Sequence, residues 1–82
     1  MDFERFKKEM ALAEHMAKTD VERESYWRGY QRGLRRAYHG DKFGTPEEHK
    51  KFLNAVTSPD KRQKETGQGY TDALKDWGKN EA

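Results

Sequence analysis

Two glycines one helical turn apart, Gly29 and Gly33, sit inside the run Tyr26-Trp27-Arg28-Gly29-Tyr30-Gln31-Arg32-Gly33-Leu34-Arg35-Arg36-Ala37-Tyr38-His39. The rest of that run has helical spacing: Trp27, Tyr30, Leu34 and Tyr38 make one apolar row, flanked by Tyr26, Gly33 and Ala37. Glycine inside an exposed helix costs about 1 kcal/mol relative to alanine. A pair of them on one face therefore needs a tertiary compensation, and close approach of another backbone supplies it. The competing reading is a kink or a loosely formed helix. The same spacing in an apolar span drives helix association in membranes, but here it lies among Arg, Gln and Tyr, so that meaning does not apply.

A faint echo of the pattern recurs downstream. Gly29-Tyr30, Gly33-Leu34 and Arg35 correspond in spacing to Gly69-Tyr70, Ala73-Leu74 and Lys75. Each copy follows another helical stretch, which suggests two packed helical hairpins whose second and fourth helices cross at Gly29/Gly33 and Gly69/Ala73.

The expected fold is therefore all-α, a compact four-helix assembly forming a single helical domain over residues 1–82. Phe3, Phe6, Met10, Ala13 and Ala17 recur at three- and four-residue spacing and predict a first helix over about 2–18. The second should start near Asp20 or Val21 after a Thr19 cap and end near Tyr38, with His39-Gly40 as its C-cap. Thr45-Pro46-Glu47-Glu48 combines a cap, a proline at the first helical position and a capping-box glutamate, opening a short third helix through about Ala55. Ser58-Pro59-Asp60 repeats the start signal for a fourth helix running to Trp77, with Gly78 ending it. The expected core is Phe6, Met10, Trp27, Tyr30, Leu34, Phe52, Leu53, Tyr70, Leu74 and Trp77.

Apolar residues make up only 32% of the chain and mean hydropathy is -1.40, so this core must be thin. Four Phe, four Tyr and two Trp concentrate the apolar area in a few large side chains, which favours folding over disorder. Without cysteine the chain has neither a disulfide framework nor a thiolate zinc site, and a reducing cytoplasm is the expected location. No stretch resembles a signal peptide or approaches spanning length, so no membrane partner is expected.

The functional signal lies in charge placement. Net charge is only +2, yet Ser25 to His39 holds four arginines and no acid, while Asp20, Glu22 and Glu24 lie just before it. Arg28, Arg32, Arg35 and His39 fall along one side of the helix and Arg36 on its shoulder, with Lys42 close behind. These five, Arg28, Arg32, Arg35, Arg36 and His39, are the candidate partner-binding residues. Guanidinium forks pair with carboxylate or phosphate. For any one arginine alone, a solvated base matched to the helix dipole is the simpler account.

Catalysis, cofactors and metals receive no assignment. His15, His39 and His49 are too far apart for a metal-ligand spacing. Glu47/Glu48 and Asp72/Asp76 lack any sign of a shared cleft, and Thr45 and Ser58 are better explained as caps. Gly67-Gln68-Gly69 lacks the lysine and hydroxyl of a phosphate loop. The expected function is thus a small non-enzymatic protein-binding adaptor or inhibitor that engages an acidic surface, including one on a nucleic-acid-processing complex. Direct contact with nucleic acid phosphates through the same helix is the second reading, weakened by the chain's fifteen acids; a structural assembly subunit is the third.

Overall fold

The computed structural model describes residues 1–78 and consists of four helices there: α1 (Phe3–Thr19), α2 (Glu24–His39), α3 (Pro46–Ala55) and α4 (Lys61–Trp77). The expected all-α four-helix assembly is what forms, with no strand among the described residues; residues 79–82 of the expected domain lie outside them. Short 3₁₀ turns at Val21–Arg23 and Gly40–Lys42 flank α2.

The caps explain the boundaries. Asp2 accepts from the Arg5 amide at 2.8 Å, Thr45 from that of Glu48 at 3.0 Å, and Asp60 from that of Gln63 at 3.0 Å, so three helices begin on a side-chain cap. The second does not. Thr19, expected as its cap, belongs to α1, where its hydroxyl donates to His15 O at 2.9 Å. The chain then tightens into the Val21–Arg23 turn, and α2 starts three or four residues later than expected, behind an Arg23 that makes no side-chain cap bond. Gly40, with φ +70°, closes α2, and its amide bonds Arg36 O.

The helices lie in the order α1, α2, α4, α3. Phe6 stacks on Tyr38 at 4.4 Å while Arg28 reaches Glu14, so α1 and α2 run antiparallel. Phe52 stacks on Tyr70 at 4.8 Å while Ala55 approaches Gly67, so α3 and α4 do likewise. Between the two hairpins, Tyr26 donates to Asp72 and Tyr30 to Asp76. Both partners advance together along their helices, and α2 and α4 are therefore parallel.

That parallel crossing is built on the glycines. A Cβ on Gly29 would fall on the carbonyl of Thr66, and one on Gly69 would fall on the carbonyl of Tyr26. Gly33 faces the α4 backbone and Ala73, with 2.5 Å from its would-be Cβ to Tyr70 O and 2.7 Å to the Ala73 Cβ. Shifting each α2 position by forty gives its counterpart in α4, so the two contacts are reciprocal about a local twofold axis near Gly33 and Ala73. The sequence echo is a structural one at this crossing.

Gly67 does separate work. Two positions from Gly69 it faces the opposite side of α4, where a Cβ would lie 2.8 Å from Phe52 O and 2.9 Å from the Ala55 Cβ. Thus α4 is approached closely on both sides.

Such short interhelical distances favour small residues, and three of the five buried apolar residues are alanines. Ala13, Ala17, Leu34, Tyr70 and Ala73 are buried, and Phe6, Met10, Trp27, Tyr30 and Trp77 pack partly buried around the centre. Two expected core members differ: Leu53 is exposed, because its neighbour Phe52 takes the inward position of α3, and Leu74 is only half-buried. The molecule is a slab of 34 × 30 × 18 Å. A slab this thin leaves room for one interior seam, and α2 occupies its middle.

Candidate functional site

The polar face of α2 lies between Glu14 of α1 and Glu48 of α3. Arg28 Nη1 donates to Glu14 Oε1 at 2.5 Å and to Gln31 Oε1 at 3.0 Å, and its Nε lies 3.6 Å from Glu24. Gln31 Nε2 donates to the same Glu14 oxygen at 3.1 Å, and Lys18 approaches the other at 3.4 Å. Held first by Arg28, then by Gln31 and Lys18, the Glu14 carboxyl titrates at about 2, and Arg28 is pushed above its ordinary value by the same bond.

Arg32 turns toward the other hairpin. Its Nη2 donates to Glu48 Oε1 at 2.6 Å, and its guanidinium lies over the Phe43 and Phe52 rings, 5.4 Å from each centroid. Its Nε is buried without a partner. Glu48 is the expected capping-box glutamate. Only half of that box forms: Thr45 accepts the Glu48 amide proton, but the Glu48 side chain goes to Arg32.

Arg36 is the most enclosed of the four. It donates to Phe43 O and to Asp41 Oδ1, both at 3.1 Å, tying the end of α2 to the turn that follows. His39 is exposed, its ring edge-on to Tyr38 at 4.9 Å and Phe6 at 5.7 Å. Arg35 is exposed and takes part in no ion pair or side-chain hydrogen bond among the described residues, and the same holds for Lys42.

The structure therefore places Arg28, Arg32, Arg35 and His39 along one face with Arg36 at its shoulder, while giving Arg28, Arg32 and Arg36 acidic partners within the chain. Sequence reasoning found the row and missed its partners. Glu14 carried no signal, because its approach to Arg28 in space depends on how α1 folds back on α2.

The other polar groups weighed from sequence have structural places. Asp72 accepts from Tyr26 at 2.7 Å and Asp76 from Tyr30 at 3.0 Å, and Trp77 Nε1 donates to the Tyr30 hydroxyl at 3.1 Å. Burial is the main cause that raises both phenols, Tyr30 to about 12, with the carboxylates adding to it. His49 is half-buried with Nδ1 2.6 Å from the Tyr70 hydroxyl, and His15 is exposed. Burial, reinforced by Arg36, lowers the His49 pKa. Among the described residues no three His, Asp or Glu side chains come together as a metal site. No family model, curated protein or solved structure matches the chain.

Proposed function

We propose that the chain is a binding module that engages an acidic protein surface through α2, with Arg35 as the central contact. One observation carries this reading: Arg35 is exposed on the basic row without an internal acid, one turn beyond Arg32 and two beyond Arg28, which Glu48 and Glu14 hold in place. An incoming carboxylate meets Arg35 directly. At Arg28 and Arg32 it meets guanidiniums whose orientation is already fixed, so less side-chain freedom is lost on binding. Glu14 and Glu48 also screen the row. They reduce its attraction for a uniformly negative polymer and favour a partner whose acids are spaced to reach Arg35 while leaving the borders alone.

Arg35→Glu is the decisive variant, because it touches no internal pair, whereas reversing Arg32 also strands Glu48. Partners captured from the native host should be lost with Arg35→Glu and retained with Lys50→Glu on α3. Equal recovery by Arg35→Glu, or tight and strongly salt-sensitive binding of the wild-type chain to DNA or RNA, would reject the reading.

A further inference from the structure

A groove of roughly 590 Å³ opens beside the N-terminal end of the α2 row. Ser25 of α2 forms one wall, Phe52, Asn54 and Ala55 of α3 the other, and Thr66 with Arg62 of α4 the floor. It exists because Gly67 draws α3 onto α4 while α2 crosses α4 at Gly29, leaving a cleft where α2 and α3 diverge.

Its electrostatics differ from those of the α2 row. Lys51 and Arg62 line it and no acid does. Neither base, nor neighbouring Lys50, Lys61 or Lys64, forms an ion pair among the described residues. Three of these bases follow the cap Asp60 in the first turn of α4, where the helix dipole disfavours positive charge and no acid lies within the turn itself. The fold thus keeps a cluster of bases without ion pairs around an apolar cleft, while it pairs most of the arginines on α2. Acids do border it: the cap Asp60 is hydrogen-bonded to Ser58 and Gln63 of the lining, and Glu22, Glu24 and Glu65 line an adjoining depression that shares Ser25 and Arg62.

We infer that this groove takes a large apolar side chain from an acidic segment of a partner protein, with Lys51 and Arg62 pairing carboxylates on either side of that anchor. The inference rests on the acidic-partner reading and adds a second, apolar contact to it. An apolar anchor in a pocket ringed by charge is how small interfaces concentrate affinity. A nucleic acid base fits less well, since Phe52 is already stacked on Tyr70 and lies under the Arg32 guanidinium, so it offers no stacking platform.

The probe is an end-blocked peptide with a central Phe flanked by two Glu on each side, titrated into the ¹⁵N-labelled full chain. Saturable shifts should appear at the amides of Ser25, Phe52, Ala55 and Thr66. Replacing the peptide's Phe by Ala should weaken binding roughly tenfold, the scale of losing a pocket anchor. Asn54→Trp, at an exposed position on the groove wall, should abolish those shifts in a chain whose helicity is unchanged, and Arg62→Glu should weaken them. Equal binding of the Phe and Ala peptides, absence of saturable shifts in the groove at millimolar peptide, or stronger occupation by an oligonucleotide would overturn the inference. Arg35→Glu separates the two readings. If it abolishes binding of both peptides while the groove amides never shift, the α2 contact stands and the groove does not.

Discussion

Gly29 and Gly69 each place their Cα hydrogens where any side chain would overlap a carbonyl of the facing helix, Thr66 for one and Tyr26 for the other. The reciprocity makes the crossing intolerant from both sides. Gly69→Ala and Gly29→Ala should each destabilise the protein at the upper end of, or beyond, the roughly 1–3 kcal/mol range of overpacking, despite the helix propensity regained. Gln68→Ala, exposed between two glycines, should be nearly neutral. Urea unfolding of the three variants checks this, and equal midpoints would remove the close-crossing account.

Leucine burial gives a second comparison. Leu34 has no exposed surface, so Leu34→Ala should cost about 2–5 kcal/mol. Leu53→Ala, at a position 38% exposed, should stay within about 0.5 kcal/mol, with Leu74→Ala between them. Thermal and urea midpoints should follow that order.

The tyrosine–aspartate pairs bind the hairpins through charge-assisted bonds. Tyr26→Phe leaves Asp72 half-buried without its donor and should cost about 1–3 kcal/mol. Tyr30→Phe frees exposed Asp76 to water but also removes the acceptor of Trp77 Nε1, so it should cost a comparable amount. A double-mutant cycle of Tyr26→Phe with Asp72→Asn should show coupling; strict additivity would dismiss the bond.

Acid should weaken the fold in two separate windows. His49 has a lowered pKa, so the unfolded chain takes up a proton more readily; the associated stability is present at neutral pH and declines as pH falls through 6.5. His49→Gln should flatten that limb. Glu14 is likewise depressed, and its contribution is present above 4.5 and lost as pH falls toward about 2. Glu14→Gln should remove that second limb, and carboxyl NMR titration should find Glu14 as an outlier among the glutamates.

Much of the architecture was legible in local chemistry. Thr45-Pro46 starts α3 because capping and proline geometry are decided within one turn, and the costly glycines announced the α2–α4 crossing. The fourth helix starts two residues later than Ser58 implied, with Asp60 as its cap and the Ser58 hydroxyl accepting the Asp60 amide. The start of α2 was not legible: Thr19 has good cap chemistry, but α1 runs through it and the Val21–Arg23 turn separates it from α2. Leu53 was misplaced because Phe52 and Leu53 are equivalent by hydropathy, and only the approach of Gly67 orients α3. The arginine row followed from helical periodicity. Its pairing with Glu14 and Glu48 did not, since which acids border a helix is set by how its neighbours cross.

The parallel crossing also fixes an order of events during synthesis. The glycine seam of α2 is complete once residue 39 is made, yet the surface it fits belongs to residues 66–73. Until that stretch leaves the ribosome, α1 and α2 can form only a hairpin with a bare groove along Gly29 and Gly33. A nascent chain halted before α4 should accordingly be protease-sensitive, and a newly made α4 from a neighbouring chain could fill the same seam, so domain exchange between copies is the misfolding route this topology leaves open.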